Sequence, residues 1–396
     1  MLNIFFIGLI SFFTDLSTEM VYPLIPLYLV SVFGATPVLV GIIEGIAESL
    51  ASLLKVYSGY LTDKFQKKKA LAFSGYAAGL IYKIGLLFAG SWIGILGARV
   101  IDRFGKGLRT APRDVLVSES IDKENMGKAF GFHKALDMAG AGLGILVTWF
   151  LIRNHAGGDY SYKSIFAFSM IPAALGLLMF LFVKEKKTSR EIQKKELFWK
   201  NINKINGQLK FYLLVVFIFT LGHSSNAFFV LKAKAIGFDD AGVILLFLIF
   251  HVVAAAFSLP LGKLSDKIGR KNLLVPGYFA FSLCFFGFAY VQSKPGLGIV
   301  FGLYGIYTAM ITGVERAFVA EISPPELKGT MLGLHSTVTG IAFLPASIIA
   351  GLLWKAYGSA VPFIFGAVLS LISAVLLIIF MKGGNTGKSN PQTAVS

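Results

Sequence analysis

Long apolar stretches alternate with short polar ones along the whole chain. Twelve such stretches can be drawn, each of about twenty residues or more, enough for a helix rising about 1.5 Å per residue to cross about 30 Å of hydrocarbon. Because a backbone in lipid must satisfy its hydrogen bonds within the segment, each stretch is predicted to be a transmembrane helix. The predicted spans are residues 3–33, 37–62, 70–90, 92–118, 127–152, 162–183, 211–236, 240–262, 272–291, 296–321, 328–354 and 360–381.

The loops between these spans differ in charge. Residues 184–210 contain nine Lys or Arg residues, whereas residues 34–37 (GATP) and 237–240 (GFDD) contain no basic residue. The loops after the second and eighth spans are also basic. Since Lys and Arg accumulate in the cytoplasmic loops of membrane proteins, both termini are predicted to be cytoplasmic.

The long basic loop divides the chain into two halves that repeat each other. GYLTDKFQKKKAL (59–71) matches GKLSDKIGRKNLL (262–274), and parallel repeats of six helices are one way in which secondary transporters are built. We therefore predict an all-α integral membrane protein with twelve transmembrane helices in two six-helix bundles. The predicted parts are an N-terminal bundle at 1–183, a cytoplasmic linker at 184–210, a C-terminal bundle at 211–381 and a disordered cytoplasmic tail at 382–396.

Composition excludes several classes of protein. Of the 396 residues, 55% are hydrophobic and 15% are charged, against about 25% charged residues in soluble globular domains. The net charge of +16 resides largely in the loops, which indicates membrane topology rather than a nucleic-acid partner. The single cysteine, Cys284, excludes an intramolecular disulfide, and no spacing typical of a metal site or a catalytic nucleophile is present. We expect a monomer in the lipid bilayer, without cofactor, metal or enzymatic activity.

One predicted span carries much more charge than the others. The segment RVIDRFGKGLRTAPRDVL (99–116) contains five basic and two acidic residues. At about 100° per residue, Asp102 and the five bases from Arg99 to Arg113 fall within an arc of about 120°. A charge near the bilayer centre costs roughly 2.5–3.5 kcal/mol on insertion scales, so this stripe is predicted to face the interior of the bundle.

Acidic residues on other spans supply partners for this stripe. Asp15 and Glu19 lie four residues apart on the first span, and we expect them to face Arg103, where proton exchange on a carboxylate would hold or release the cation. Static ion pairing that sets only helix packing is the competing interpretation. The candidate residues for proton coupling and for the solute cavity are Asp15, Glu19, Glu44, Glu48, Arg99, Asp102, Arg103, Lys106, Asp137, His223 and Asn226.

The two repeated loops carry a family motif. Residues 262–271 (GKLSDKIGRK) meet the signature G-x-L-x-D-K/R-x-G-R/K-K/R, and residues 59–68 keep it except at Gln66, where glycine is preferred. In these motifs the chain resembles the major facilitator superfamily. The resemblance implies that these loops hold the cytoplasmic ends of the two bundles together in one state and release them in another. The candidate residues of this cytoplasmic gate are Gly59, Asp63, Lys64, Lys67, Arg113, Asp114, Gly262, Asp266, Lys267, Arg270, Glu315 and Arg316, with Arg113 and Asp114 expected within reach of Asp63 and Lys64.

The fourth span resembles a smaller group within this superfamily. Its pattern D-R-x-G-K-G-x-R-T-x-P-R-D, from Asp102 to Asp114, is similar to that of a subgroup of bacterial and archaeal permeases, which implies the prokaryotic cytoplasmic membrane. The drug/proton antiporters of the superfamily carry a glycine-proline signature in the fifth span. Here that region reads DMAGAGLG (137–144), without proline.

The function expected from these features is secondary active transport of a small solute by alternating access, coupled to protons. Efflux of a small organic or amphipathic compound is the first hypothesis, and proton-linked transport of an anionic metabolite is the alternative favoured by the cations of the fourth span. A membrane sensor or assembly partner without transport is a remote alternative, because the longest soluble stretch, 184–210, is too short for a domain.

Overall fold

A computed structural model of the chain describes residues 2–65, 67–121, 126–154, 161–185, 207–323 and 328–380. The predicted tail and most of the predicted linker lie outside these residues. The helices within them are α1 (Leu2–Val21), α2 (Leu24–Phe33), α3 (Pro37–Phe65), α4 (Lys68–Phe88), α5 (Trp92–Ser118), α6 (Met126–Asn154), α7 (Tyr162–Met179), α8 (Gly207–Gly222), α9 (Ala227–Ala235), α10 (Asp240–Ile268), α11 (Arg270–Tyr290), α12 (Lys294–Ile311), α13 (Val314–Ile322), α14 (Lys328–Tyr357) and α15 (Val361–Phe380). A 3₁₀ turn at Phe180–Phe182 follows α7.

These helices form the twelve predicted spans, which confirms the predicted membrane fold. The first, seventh and tenth spans each consist of two consecutive helices, namely α1–α2, α8–α9 and α12–α13. Within the described residues, eleven spans have the length and composition needed to cross a membrane. The remaining span, the fourth in chain order, is α5. It has 27 residues but carries the charged stripe. We refer to α1–α7 as the N-terminal half and to α8–α15 as the C-terminal half.

The three interrupted spans have different local causes. Between α1 and α2, Pro23 lacks the N–H that a continuous helix would use. The other two spans are predicted from the sequence as continuous helices, and this prediction is wrong. At residues 223–226 the Ser225 hydroxyl accepts a hydrogen bond from the N–H of Ala227 at 3.2 Å, which competes with helical bonding. Before α13, Gly313 adopts a φ of 88°, a conformation that favours glycine.

Small residues bring α6 directly against α1. Gly140 and Gly144 of α6 face the backbone of α1 at Phe12 and Leu16, and a Cβ atom at either glycine would collide with it. Small residues of this kind allow helices in a membrane to approach closely. Because Asp15 lies between these two contacts on α1, the packing places it beside α6.

The two halves contact each other mainly through α3 and α14. We name the ends of the molecule from the loop charges, so the end opposite the basic loops is extracellular. Near the extracellular end, a Cβ on Gly351 would lie 2.7 Å from the carbonyl oxygen of Pro37. Near the middle of α3, a Cβ on Gly340 would lie 2.9 Å from the Cβ of Ser52. Close packing therefore extends from the extracellular end to the middle of α3.

A polar contact also joins the halves at the extracellular end. The hydroxyl of Tyr162, at the start of α7, donates to the carboxylate of Asp240 on α10 at 2.6 Å. Lys234 pairs with the same carboxylate at 2.8 Å. Beyond the middle of α3, Lys55 is exposed although it lies within electrostatic reach of Lys106 and Arg316. Among the described residues, the close contacts between the halves thus lie from the extracellular end to the middle of α3, and we interpret this arrangement as a state that opens toward the cytoplasm.

Candidate functional site

The charged stripe of α5 forms a buried ion network with α3. The guanidinium of Arg99 pairs with Glu44, and the guanidinium of Arg103 pairs with Glu48 at 2.8 Å. Asp102 lies 3.8 Å from both guanidinium groups. Arg99, Arg103 and Glu44 are each no more than 2% exposed, whereas the Glu48 side chain is 27% exposed, so this α5 network is buried except at Glu48.

Burial makes each partner of the α5 network dependent on the others. A buried ion pair adds little to stability compared with apolar residues, but removing one partner leaves an uncompensated charge. The ring of Tyr22, at the break between α1 and α2, lies 5.5 Å from the guanidinium of Arg99 and 5.7 Å from that of Arg103. Such cation–π contacts stabilise desolvated guanidinium groups. The break in the first span therefore contacts the network directly.

The expectation that Asp15 and Glu19 face Arg103 is wrong. Arg103 pairs with Glu48 and Asp102, because α5 packs chiefly against α3 and α4 whereas α1 packs chiefly against α6 and α7. Helical periodicity identifies the polar face of a helix but does not identify the helix opposite that face.

Asp15 instead forms a carboxyl pair with Asp137 of α6. The two carboxyl groups lie within hydrogen-bonding reach of each other, and the ammonium of Lys134 lies 2.7 Å from Asp137. Lys106 and Arg109 of α5 lie within electrostatic reach of Asp15. A hydrogen bond between two carboxyl groups requires a proton, so this pair is a place where a proton can be held inside the transmembrane region.

Glu19 faces the other half of the molecule. Its carboxylate lies 3.8 Å from Nε2 of His251 on α10. One Glu19 oxygen is buried and makes no hydrogen bond with the described residues. The two acids of the first span, one turn apart, therefore point to different partners: Asp15 to its own half and Glu19 across the interface.

His223 and Asn226 lie in the break between α8 and α9, and both contact Tyr304 of α12. Nε2 of His223 is 3.1 Å from the Tyr304 hydroxyl, which donates to Oδ1 of Asn226 at 3.4 Å. Asn226 also faces Glu44 across a narrow cavity between the halves. The cavity is lined by Tyr22, Pro23, Pro26, Glu44, Asn226, Ala227, Val230 and Phe247.

The gate candidates of the N-terminal half are only partly described. Arg113 donates to the carboxylate of Asp114 at 2.8 and 3.0 Å. Lys67 is exposed. The side chains of Asp63 and Lys64, and the position of Gly59, fall outside the described side chains, so their expected contact with Arg113 and Asp114 stays a prediction.

The gate candidates of the C-terminal half contact residues of that half. Arg270 pairs with Glu321 at the end of α13 at 2.7 Å and lies 3.7 Å from Asp266. Lys267 is exposed and Gly262 is half-buried. In this state, Arg270 therefore fastens α11 to α13 within one half.

Glu315 and Arg316 occupy different environments although they are adjacent. Glu315 accepts a hydrogen bond from the hydroxyl of Tyr278 at 2.9 Å, and its carboxylate lies 4.0 Å from Nε2 of His335. Arg316 is exposed and lies within electrostatic reach of Lys55 in the other half. Glu315 thus belongs to a polar cluster inside the C-terminal half, whereas Arg316 faces the opening.

Sequence reasoning missed one buried cation of the site. Lys83 of α4 is 1% exposed, donates to the carbonyl oxygen of Gly79 at 3.1 Å and lies within electrostatic reach of Asp102 and Asp15. It is placed between the α5 network and the Asp15–Asp137 pair. A lone lysine in an apolar span is itself a signal of function, which the sequence displays in IYKIG (81–85).

Comparison with known proteins places this architecture in a family. The profile of the Major Facilitator Superfamily matches residues 7–232 and 212–395. An uncharacterised MFS-type transporter of Methanocaldococcus jannaschii is 37% identical over 382 residues, covering 95% of this chain and 94% of that protein. A multi-drug resistance efflux pump PmrA homolog of Lactococcus lactis is 27% identical and covers 82% of this chain and 81% of that protein.

A solved structure shows the same fold. The crystal structure of the nucleoside transporter NupG matches with a TM-score of 0.81 at 14% identity, covering 96% of this chain and 100% of that chain. At 14% identity this similarity shows the fold alone. The family is shown by the profile match and by the archaeal relative. The chain belongs to the major facilitator superfamily and is a multi-pass membrane transporter rather than an enzyme.

Proposed function

We propose that this protein is a proton-coupled secondary transporter that exports a small organic or amphipathic solute across the prokaryotic cytoplasmic membrane. The observation that carries the proposal is the carboxyl pair of Asp15 and Asp137. It lies within transmembrane helices, beside the cations of α5, where an ionisable group has a functional role by default.

The pair links protonation to the solute site through Lys106. The ammonium of Lys106 lies within electrostatic reach of both Asp15 and Glu48. When the pair loses its proton, its added negative charge attracts Lys106, and when the proton returns, Lys106 is released toward Glu48 and the opening. A solute that interacts with Lys106 therefore changes the affinity for the proton, and the proton changes the affinity for the solute by the same factor.

The arrangement of the halves supports alternating access. Residues 1–183 and 211–381 act in this proposal as two bundles, joined by the linker at 184–210. The contacts of Tyr162 with Asp240 and of α3 with α14 close the extracellular end, and separation of these contacts opens that end. The 3.8 Å contact of Glu19 with His251 crosses the interface near mid-membrane, so it changes when the bundles move.

Efflux is favoured over uptake by one relative, the Lactococcus lactis protein named as a multi-drug resistance efflux pump homolog. Proton-linked transport of an anionic metabolite is the second candidate. The observation that favours it is the surplus of cations on α5, where Lys106 is exposed and forms no ion pair within the described residues.

The test is solute flux in proteoliposomes under an imposed pH gradient, with the cation ethidium and the anion naphthalene-2-carboxylate as probes. A gradient of one pH unit supplies about 1.4 kcal/mol per proton, enough for about tenfold accumulation of one probe by the wild-type protein. Asp15→Asn and Asp137→Asn are expected to abolish this accumulation while leaving downhill exchange of the probe, since neither variant can hold the shared proton.

Asp239→Asn serves as the matched control, because it removes an acidic charge in the extracellular loop while keeping a side chain able to cap α10. It is expected to behave like the wild type. The proposal fails if neither probe responds to the gradient in the wild-type protein, or if both variants of the carboxyl pair accumulate solute normally.

A further inference from the structure

A lysine of α3 lies near two further cations on the cytoplasmic side of the interface, where α3 and α5 are in contact at Leu54 and Gly107. Lys55 of α3 lies within electrostatic reach of Lys106 on α5 and of Arg316 on α13. All three side chains are exposed, and none forms an ion pair or hydrogen bond with a side chain among the described residues. Lys55 and Lys106 belong to the N-terminal half and Arg316 to the C-terminal half, so the cluster spans the interface.

The acids near this cluster among the described residues have other partners. Glu48 lies within reach of both lysines, but its carboxylate is already bound to Arg103 at 2.8 Å. Asp15 lies within reach of Lys106 and pairs with Asp137. Asp102 lies between Arg103 and Arg99. Like charges in a space of low dielectric repel strongly. An anion that enters the opening would therefore gain energy from charges that the protein leaves unbalanced.

A buried donor near the cluster lacks a hydrogen bond. Arg103 is 2% exposed, and its Nε lies 3.8 Å from Asp102 but makes no hydrogen bond with the described residues. A buried donor without a hydrogen bond is unfavourable, and an anion held at Lys106 would lie about one helical turn from this guanidinium. This second observation concerns hydrogen bonding rather than net charge, and it points to the same kind of ligand.

The C-terminal half presents two half-buried rings opposite Glu48, those of His223 and Phe343. His223 lies within electrostatic reach of Glu48 across the interface, and the Phe343 ring lies 5.9 Å from the His223 ring. Phe219, Phe281 and Tyr307 also contact His223, but each is no more than 4% exposed and belongs to the core of that half. The two half-buried rings suit the apolar body of a solute.

We propose that the transported solute is an organic anion whose charged group binds among Lys55, Lys106 and Arg316 and whose apolar body contacts His223 and Phe343. The inference rests on the proposed transport function and specifies its substrate class. It also explains how binding favours closure: repulsion between Lys55 and Arg316 keeps the cytoplasmic ends of the halves apart, and a bound anion removes that repulsion.

The test is equilibrium binding to the purified full-length protein, using probes that share one ring system and differ in charge. The probes are naphthalene-2-carboxylate, 1-naphthyl phosphate and 2-naphthylmethylammonium. We expect the anions to bind at least about tenfold more tightly than the cation, and we expect Lys55→Gln, Lys106→Gln and Arg316→Gln each to weaken anion binding by about tenfold, the loss typical of one charge-assisted hydrogen bond. The carboxylate and phosphate probes show which anionic group the site prefers.

Two further variants separate charge recognition from damage to the fold. Lys55→Arg keeps the charge and is expected to retain the preference for anions. Lys355→Gln removes a lysine that is exposed at the far end of α14 and is expected to bind all probes like the wild type.

Equal binding of anion and cation, preference for the cation, or binding of no probe at millimolar concentration would each overturn the inference, because it specifies recognition by charge and apolar body alone. The assay requires no transport. Binding of the anion without flux would therefore count against the proposed transport and not against the anion site. Flux of ethidium alone would count against the anion site and not against the proposed transport.

Discussion

Replacing Arg99 with methionine is expected to lower the free energy of unfolding of the N-terminal half by about 3–5 kcal/mol. The change leaves Glu44, whose side chain is 2% exposed, without its guanidinium partner in the membrane interior. Methionine has a similar length and fills most of the same volume, so the loss reports the uncompensated charge rather than a cavity. Unfolding of the detergent-solubilised protein with sodium dodecyl sulfate, followed by the tryptophan fluorescence, measures the effect.

The matched double variant Arg99→Met with Glu44→Gln removes both charges and is expected to recover most of the lost stability. Lys355→Met removes an exposed cation and is expected to change the free energy of unfolding by less than about 0.5 kcal/mol. If the single variant Arg99→Met is as stable as the wild type, water reaches the Glu44 site and the carboxylate is not an uncompensated buried charge.

Replacing Gly41 with alanine is expected to disfavour the state that is closed toward the outside. A Cβ at Gly41 would collide with the carbonyl of Ser347 on α14, and this collision joins the two halves. Overpacking costs about 1–3 kcal/mol, so the population open to the outside is expected to rise by about tenfold. Electron–electron double resonance between spin labels at Thr36 and Ala356, in a Cys284→Ser background, measures the separation of the extracellular ends.

Gly140→Ala is the matched control for this experiment. A Cβ at Gly140 collides with the backbone of Phe12, but both helices belong to the N-terminal half. This variant is therefore expected to lower the melting temperature while leaving the distance between the labels unchanged. If Gly41→Ala and Gly140→Ala alter the label distance equally, α3 and α14 do not form the moving interface.

The membrane fold was predictable because it follows from properties that are local in sequence. Segment length, hydropathy and loop charge identify the spans, and the spacing of Arg99, Asp102 and Arg103 on α5 predicts that they face inward, where the structure buries them. Hydropathy alone does not identify α5 as a membrane span. The charged stripe that lowers its hydropathy is also the feature that makes the helix a candidate for function. The breaks at residues 223–226 and at Gly313 depend on local hydrogen bonding and a positive φ, which a reading of hydropathy does not detect.

The partners within the site were much less predictable. Asp15 and Arg103 are both on inward faces, yet they do not pair, since α6 and not α5 lies against that part of α1. Which helices are neighbours decides the pairs Asp15–Asp137 and Glu19–His251. It also decides that Lys55 lies within electrostatic reach of Arg316. Periodicity within one helix contains no information about that choice.

Proton movement driven by a solute gradient reports whether the carboxyl pair of Asp15 and Asp137 links the solute to the proton. Proteoliposomes containing a trapped pH indicator receive whichever of the two probes the wild-type protein transports, with no pH gradient imposed. Linkage between solute and proton predicts that the wild-type protein changes the lumenal pH as the probe moves, and that Asp15→Asn moves the probe without any change in pH. Transport of the probe by the wild-type protein at constant lumenal pH would contradict the account.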